Sequence, residues 1–170
     1  VLFADCRSAA DVQECVRIVR PETPEDQGTY GVATRRFTYM GYGGSQDYVQ
    51  ALRDIVVTKK KKKPGTVDTL DEVLAVPGVD MVQWGGSDYS MGIGKAGERH
   101  SPELKVIERR VFETALKMGI PPRAEINSAE EAKYFLDMGV RHSCIGTDIN
   151  ILYNWCRQHG DALRKALSGA

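Results

Sequence analysis

Short apolar runs and amphipathic stretches follow one another along the chain in a regular order. Five runs have the length and composition of strands, at 1–5, 55–57, 79–84, 123–126 and 140–145. Between them, apolar residues recur at helical spacing and predict helices over 9–19, 45–53, 66–76, 101–118, 128–138, 149–158 and 161–167. This alternation predicts an α/β protein, with a parallel sheet and helices outside it.

Polar residues and glycines mark where the predicted helices begin and end. Serine N-caps are predicted at Ser8, Ser45 and Ser101, and capping boxes at Thr69–Glu72 and Ser128–Glu131. Gly160 is predicted to separate the last two helices. The stripe predicted for the helix that begins at Ser101 comprises Val106, Ile107, Arg110, Val111, Ala115 and Met118.

Two architectures satisfy this order of elements, an open doubly wound sheet and a (β/α) barrel. A complete eight-stranded barrel needs roughly 200 residues or more, and the chain has 170. The length is that of a single domain or of part of a larger one. We therefore expect one α/β domain over residues 1–170, with about five βα units.

The second apolar run ends in an unusual way, because Thr58 and five lysines, Lys59 to Lys63, follow it directly. A buried parallel strand is normally a continuous apolar run, and an unpaired buried charge is costly. We therefore predict that the strand ends at Val57 and that the lysines form a solvated loop. The alternatives are an altered sequence at this point, a nuclear localisation patch or a contact to an anionic ligand.

The charge balance, the apolar runs and the cysteines limit the classes of partner and the cellular compartment that the sequence predicts. Basic and acidic residues balance at 23 each, which argues against nucleic acid as the main partner because phosphate binding needs a basic excess. No apolar run is long enough to span a membrane. The four cysteines form no C-x-x-C pair, which predicts reduced thiols in a cytoplasmic protein.

The segment that follows the third predicted strand is the candidate for chemistry. The strand ends in Gly85 and Gly86, and Ser87 and Asp88 come next. Glycines allow a ligand to approach the backbone closely, and parallel α/β folds bind ligands at the carboxyl ends of their strands. The alternative is that the two glycines form only a turn and that Asp88 is only a helix cap.

Two further carboxylates follow predicted strands and are candidate partners for Asp88. Glu125 ends the fourth strand and Asp148 follows the fifth, and two carboxylates suit a hard cation such as Mg²⁺. The alternatives are that Glu125 pairs with an arginine and that Asp148 caps a helix. His142 and Cys144 alternate on the last strand, and we interpret them as core residues in preference to a nucleophile pair. His100 and His159 are interpreted as surface residues.

Several segments resemble the HpcH/HpaI aldolase (citrate-lyase-like) family. They are VDTLDEVLAVPGVDMVQWGGSDYSMGIG, PETPEDQGTYGVATRRF, PPRAEINSAEEAKYFLDMGVRH and CIGTDINILYNW. The resemblance implies a partial TIM (β/α)8 barrel of the phosphoenolpyruvate/pyruvate type, in which the chain supplies the last five units and the first three are absent. It also implies a cytoplasmic homo-oligomer.

The chemistry that the resemblance implies is that of a class II aldolase, a divalent-metal-dependent carbon–carbon lyase. Such enzymes use Mg²⁺ or Mn²⁺ to bind a 2-oxo acid, and convert a 4-hydroxy-2-oxo acid to pyruvate and an aldehyde through a metal-stabilised enolate. Asp88 matches the metal-binding aspartate. Gly85, Gly86 and Ser87 match the turn that holds the substrate carboxylate.

The chain also departs from the family pattern. The second metal ligand of the family, a glutamate, falls in register on Lys62, and the catalytic histidine and arginine belong to the three absent units, so the catalytic residues are unknown. Two alternatives follow from these departures. One is a Schiff-base aldolase that uses a lysine of the 59–63 run, and the other is a catalytically inactive barrel fragment that acts as a binding or assembly module.

Overall fold

The computed structural model describes residues 1–32, 43–61 and 64–169. Strands and helices alternate along these residues. The strands are β1 (Leu2–Phe3), β2 (Thr58–Lys61), β3 (Met81–Trp84), β4 (Pro122–Ile126) and β5 (His142–Ile145). The helices are α1 (Ala9–Val19), α2 (Gln46–Arg53), α3 (Pro64–Asp68), α4 (Leu70–Leu74), α5 (Gly86–Gly92), α6 (Pro102–Lys117), α7 (Ala132–Asp137) and α8 (Asp148–Ser168).

The five strands form one sheet in which the spatial order is the same as the chain order. Each neighbouring pair, from β1–β2 to β4–β5, is parallel. A doubly wound sheet reverses its strand order at a switch point, whereas a (β/α) barrel adds each new strand beside the previous one. The α/β prediction is confirmed, and the sheet has the order of a partial barrel.

The main core lies between the sheet and α6. Val82 and Ala124 point from the strands toward this helix and pack with its Leu104, Phe112 and Ala115. Because side chains alternate along a strand, the residues between them point to the opposite, inner face of the sheet. That inner face carries polar and charged side chains, and the carboxyl ends of the strands open onto the cavity described below.

The three serine N-caps are confirmed. The hydroxyls of Ser8, Ser45 and Ser101 accept hydrogen bonds from backbone N–H groups in the first turns of α1, α2 and α6. The two predicted capping boxes are wrong, because neither Thr69 nor Glu131 makes a capping hydrogen bond to its helix. The Thr69 hydroxyl instead donates to the Gly65 carbonyl, at 3.3 Å.

The solvated-loop prediction for the lysine run is wrong at its first residues. Thr58 to Lys61 form β2, and Lys59 is only 1% exposed. The strand tolerates lysines because its two faces offer different partners. Lys59 reaches a thiol and an aromatic ring on the helix side, and Lys60 reaches the carboxylate of Glu125 on the inner face. Lys62, the position matched to the family glutamate, lies outside the described residues.

Two predicted breaks are helical in the structure. The segment that follows Gly85, for which one alternative was only a turn, begins α5 directly. Gly160 does not separate two helices, because α8 is continuous from Asp148 to Ser168. None of the side chains of α8 is buried, and its large apolar residues are exposed. No described helix is both long enough and apolar enough to cross a membrane.

Arg20 ties the end of α2 to the sheet. Its Nη1 donates to the carbonyls of Leu52, Arg53 and Ile55, at 3.3, 2.8 and 2.8 Å. Its Nη2 lies 3.4 Å from the carboxylate of Asp80, just before β3. The last carbonyls of a helix have no intrahelical donors, so this guanidinium satisfies several of them at once.

Candidate active site

A cavity of about 580 Å³ opens at the carboxyl ends of β2 to β5. Its wall includes the segments that immediately follow three of these strands. The lining residues are Lys60, Trp84, Gly85, Gly86, Ser87, Asp88, Arg99, His100, Lys105, Glu108, Phe112, Glu125, Ile126, Asn127, Glu131, Tyr134, Phe135, Cys144, Gly146, Thr147 and Asn150. The position is the one that ligands occupy in parallel barrels, and the volume suits a small organic ligand.

All four residues singled out after the third strand line this cavity. Gly85 is the N-cap of α5, and Asp88 lies in the first turn of that helix. A Cβ atom at Gly86 would stand 2.8 Å from the indole Nε1 of Trp84 and 3.6 Å from the Cβ of Arg99. The absence of a side chain at this position therefore keeps the cavity open beside the Trp84 indole. Asp88 therefore lies in the first turn of a helix and also lines the cavity.

A hydrogen-bonded network of alternating charge crosses the inner face of the sheet. Arg123 donates to the Gln83 side-chain oxygen, and the Gln83 amide donates to Glu125. The Lys60 ammonium lies 3.2 Å from the same carboxylate oxygen of Glu125. The alternative prediction paired Glu125 with an arginine. Its partners in the structure are the Lys60 ammonium and the Gln83 amide. The carboxylate of Glu125 lines the cavity, and its two donors, Lys60 and Gln83, already compensate much of its negative charge.

A second charged pair stands on the α6 side of the cavity. Glu108 is 7% exposed, and its carboxylate accepts a hydrogen bond from Lys105 at 2.6 Å. The Lys105 ammonium also lies 4.7 Å from the centroid of the Tyr134 ring. Burial, reinforced by the negative charge of Glu108, raises the pKa of the Tyr134 hydroxyl. This wall offers an ammonium and a neutral phenol to a ligand.

The remaining predicted residues divide between the cavity and the surface. Asp148 does not line the cavity. It is the first residue of α8, one position after the N-cap Thr147, and its carboxylate accepts a hydrogen bond from the Ile149 N–H at 2.8 Å. His142 is exposed and Cys144 is partly exposed. The interpretation of both as core residues is therefore wrong, because the inner face of β5 is not covered. His100 is exposed as expected, but it lines the cavity and accepts a hydrogen bond from Arg99.

The lysines of β2 differ in their access to the cavity. Lys60 lines it, whereas Lys59 points away from it into the layer between the sheet and α1. Of these two lysines, only Lys60 is placed for a Schiff-base role. Lys60 contacts a carboxylate, that of Glu125, whereas catalytic Schiff-base lysines generally lie in apolar surroundings that activate them.

The donor chemistry of the cavity suits a hard cation that takes most of its ligands from substrate and water. Within residues 1–32, 43–61 and 64–169, no three His, Cys, Asp or Glu side chains are grouped as cation ligands. Mg²⁺ is commonly bound through only one or two carboxylates, and water and substrate oxygens complete its coordination. Asp88 supplies such a carboxylate at the cavity wall.

Sequence reasoning missed most of the cationic and aromatic lining. Asn127 and Thr147 were identifiable in principle, because each follows the end of a strand. Arg99 and Lys105 belong to a loop and a helix start that no strand-end rule selects. The lining as a whole carries three cationic side chains, Lys60, Arg99 and Lys105, beside four carboxylates, Asp88, Glu108, Glu125 and Glu131.

Comparisons with known proteins agree with this architecture. A sequence profile of the HpcH/HpaI aldolase/citrate lyase family matches residues 7–154. The 5-keto-4-deoxy-D-glucarate aldolase of Enterobacter sp. (strain 638) is 25% identical over 156 residues, covering 91% of this chain and 60% of that protein. The hydroxypyruvate/pyruvate aldolase of Delftia acidovorans is 28% identical over 146 residues, covering 85% of this chain and 53% of that protein.

Solved structures show the same fold. The crystal structure of an HpcH/HpaI aldolase/citrate lyase family protein from Burkholderia cenocepacia superposes with a TM-score of 0.80 at 24% identity, covering 96% of this chain and 64% of that one. The chain thus spans about three fifths of the length of the relatives that it matches. With the profile matching most of its length, the chain belongs to the HpcH/HpaI aldolase/citrate lyase family.

Proposed function

We propose that the complete protein is a divalent-metal-dependent aldolase that cleaves a 4-hydroxy-2-oxo acid to pyruvate and an aldehyde. The observation that carries this proposal is the convergence of Asp88 with Gly85, Gly86 and Ser87 on one cavity at the carboxyl ends of the strands. The names of the relatives support a 2-oxo acid substrate. The proposal concerns a full barrel of eight βα units, of which residues 1–170 supply the last five.

Each of the four residues has a proposed role in binding. The backbone of Gly85, Gly86 and Ser87 holds the substrate carboxylate, because a side chain at Gly86 would fill the space beside Trp84. Asp88 is the proposed ligand of Mg²⁺ or Mn²⁺. When bound, such a cation polarises the 2-oxo group and stabilises negative charge that develops on it.

The cationic lining supports an acidic substrate. Lys60, Arg99 and Lys105 all border the cavity, beside the carboxylates of Asp88, Glu108, Glu125 and Glu131, so the support comes from a local cation and not from the net charge of the lining. Lys60 is partly neutralised by Glu125, and Lys105 by Glu108. Arg99 contacts His100, and we propose that it provides the main attraction for the substrate carboxylate.

The test is pyruvate release from a 4-hydroxy-2-oxo acid by the full-length protein, with and without Mg²⁺ or Mn²⁺. We expect turnover only with the metal. Asp88→Asn should lower kcat/KM on the order of 100-fold, since a catalytic cation contributes several kcal/mol. Asp71→Asn is the matched control, because Asp71 is an exposed acidic residue in the first turn of α4. Equal activity of the two variants would contradict the role of Asp88.

A catalytically inactive binding module is the second candidate. The contact between Lys60 and Glu125 favours this candidate, because the Lys60 ammonium takes the place beside the Glu125 carboxylate that a cation would otherwise use. The discriminating measurement is calorimetric titration of the full-length protein with oxalate, a non-reacting mimic of a 2-oxo acid, in the presence and absence of Mg²⁺. Metal-dependent oxalate binding together with pyruvate release would overturn this candidate, and failure of both would support it.

A Schiff-base aldolase would use Lys60. Borohydride reduction in the presence of pyruvate would then leave a stable adduct on the Lys60 peptide, detectable by mass spectrometry. We expect no adduct, because Lys60 is engaged by Glu125 in surroundings unlike those that activate lysine nucleophiles. An adduct that Lys60→Arg abolishes would replace the metal-dependent mechanism with this one.

We propose that the protein is a homo-oligomer. The apolar side chains of α8 support this, since they form a large exposed surface of the kind that marks an interface. Its exposed members are Ile149, Ile151, Leu152, Tyr153, Trp155, Leu163 and Leu167. Light scattering coupled to size exclusion on the full-length protein measures the assembly, and a monomeric mass at micromolar concentration would contradict it.

A cytoplasmic location is also proposed. All four cysteines are free thiols, and free thiols persist in a reducing compartment. Fractionation of cells that express the tagged full-length protein tests this directly. Recovery in a secreted or membrane fraction would be the contrary result.

A further inference from the structure

A cluster of two thiols and an ammonium lies on the helix side of the sheet, away from the cavity. Cys6 follows β1, Cys15 belongs to α1, and their sulfur atoms are 3.4 Å apart. Lys59 of β2 places its Nζ 3.3 Å from the Cys6 sulfur. Both cysteines are partly exposed, whereas Lys59 is buried. Three reactive groups from three elements therefore meet at one place that a small reagent can reach.

The surroundings of Lys59 give the cluster its chemical character. Within the described chain, its ammonium meets the Cys6 sulfur and the face of the Phe3 ring, with 4.3 Å to the ring centroid, and forms no ion pair with a carboxylate. A buried cation without an anionic partner is unfavourable. A thiolate at Cys6 would supply that partner, and a neighbouring lysine stabilises a thiolate in general.

Burial opposes this effect at neutral pH. Desolvation raises the pKa of the Cys6 thiol, and the hydrogen bond with Cys15 raises it further, while the charge of Lys59 lowers it. The net direction is upward, so Cys6 is mainly a thiol at neutral pH. The reactive thiolate form becomes more abundant as the pH rises.

We propose that Cys6 and Cys15 form a redox-active dithiol that a hydroperoxide oxidises to an intramolecular disulfide. In the first step the Cys6 thiolate attacks a peroxide oxygen, the O–O bond breaks, and Cys6 becomes a sulfenic acid while the leaving oxygen takes a proton and departs as water or an alcohol. In the second step the Cys15 sulfur attacks the Cys6 sulfur, the S–O bond breaks, and water leaves with the Cys15 proton. Two thiols are oxidised and one hydroperoxide is reduced.

The geometry requires little movement for the second step. A disulfide bond is about 2.05 Å long, so the two sulfur atoms must approach by roughly 1.3 Å from their contact distance of 3.4 Å. The bond would join the β1–α1 connection to the body of α1. We expect the oxidised form to have a higher melting temperature, because the bridge restricts the unfolded chain.

The other two cysteines provide an internal comparison. Cys144 lies on β5 with its sulfur 3.7 Å from the Gly146 carbonyl, and Cys156 is exposed on α8. Neither has a thiol or an ammonium partner among the described residues. We therefore expect them to be oxidised or alkylated independently of each other. Replacing both by serine leaves the Cys6–Cys15 cluster unchanged.

The experiment is mild oxidation of the Cys144→Ser/Cys156→Ser protein with hydrogen peroxide, followed by alkylation of remaining thiols and digestion with trypsin without reduction. Cleavage after Arg7 and Arg17 leaves Cys6 in a peptide that ends at Arg7 and Cys15 in the peptide of residues 8–17, and the two stay separate unless a disulfide joins them. We expect the joined pair as the major product, reversed by dithiothreitol. Recovery of both peptides in alkylated form, after peroxide that oxidises Cys156 in the unmodified protein, would overturn the proposal.

Two variants test the order of events and the part played by the lysine. Cys15→Ser should trap a sulfenic acid at Cys6, detected with a 1,3-dicarbonyl reagent. Lys59→Met, which keeps the length of the side chain without its charge, should slow disulfide formation by roughly tenfold. The rate in the parent protein should rise with pH. A rate that Lys59→Met leaves unchanged would remove Lys59 from the mechanism, while the peptide map of the parent protein still decides the disulfide itself.

Discussion

Lys60 and Glu125 face each other across β3, with the Lys60 Nζ 3.2 Å from the Glu125 Oε1. The contact joins β2 to β4 and lies in the wall of the cavity. Gln83 of the intervening strand donates to the same oxygen, so the carboxylate is held by two donors. This arrangement makes Glu125 a weak ligand for a cation, and it leaves Asp88 as the proposed point of attachment.

Replacing Lys60 should strengthen cation binding in the cavity. Lys60→Gln removes the competing positive charge, and we expect the Kd for Mn²⁺ to fall by about tenfold, which is about 1.4 kcal/mol. Calorimetric titration of the full-length protein measures the change. Lys117→Gln is the control, because Lys117 is exposed in the last turn of α6. An unchanged Kd in the Lys60 variant would mean that Glu125 is not accessible to the ion.

Arg20 is predicted to be a major source of stability. Arg20→Lys keeps the charge but loses the planar group that donates to the carbonyls of Leu52, Arg53 and Ile55. We expect the free energy of unfolding to fall by about 2 kcal/mol, because partly buried carbonyls lose their donors. Urea unfolding measures the difference. Arg17→Lys alters only an exposed ion pair with Glu14 and should leave the urea midpoint nearly unchanged.

The hydrogen bonds of the Asp26 carboxylate with Arg53 and Thr23 are predicted to stabilise the fold at neutral pH and to lose this effect in acid. The hydrogen bonds from Arg53, and then from Thr23, lower the pKa of the Asp26 carboxyl below its ordinary value of 3.8. A lowered pKa in the folded state means that stability is fully present above the ordinary pKa and is lost as the pH falls through the lower one. Asp26→Asn should therefore lower the melting temperature at pH 7 by a few degrees.

The difference between the parent protein and Asp26→Asn should shrink below pH 4 and vanish at lower pH. Calorimetric melting across this range provides the measurement. Asp137→Asn removes a carboxylate from an exposed pair with Lys133, and should leave the melting temperature nearly constant at every pH. A difference at Asp26 that does not shrink as the pH falls below 4 would contradict the ionic origin of the effect.

Gly160 offers a stabilising substitution. It lies inside α8, and a Cβ atom there would meet no other atom within 4 Å. Gly160→Ala should raise the free energy of unfolding by about 1 kcal/mol, because alanine favours a helix over glycine by that amount. Gly28→Ala should have the opposite effect, since its Cβ would stand 2.0 Å from the carbonyl oxygen of Arg20. Thermal melting of both variants tests the contrast, and equal shifts would contradict it.

Local rules predicted the elements whose signals depend on neighbouring residues. Ser8, Ser45 and Ser101 were sufficient to locate the starts of α1, α2 and α6, because an N-cap is a contact within one turn. The parallel sheet also followed from the βα alternation, whereas the order of its strands followed only from the family resemblance, because a doubly wound sheet and a barrel both satisfied the alternation. The family of the chain was recognisable from its motifs.

The predictions failed where the burial of a residue depends on partners that are distant in the sequence. A run of lysines carries no sequence signal for a strand. Lysines are accommodated in β2 because the Cys6 thiol and the Phe3 ring contact Lys59 and the Glu125 carboxylate contacts Lys60. Glu108 was not part of the predicted stripe of α6, yet Lys105 and the aromatic side chains near it allow its burial. In turn, Val106 was placed in the stripe and is 69% exposed.

The start of α5 directly after Gly85 has a consequence for how this cavity can diversify. Asp88 is fixed by helical hydrogen bonding within a turn of β3, whereas residues 93–101 form a separate connection to α6. Insertions or exchanges in that connection would remodel the rim, which includes Arg99 and His100, without displacing the Asp88 carboxylate. The same anchor can thus serve a lineage of proteins whose preferences for the rest of the substrate drift apart.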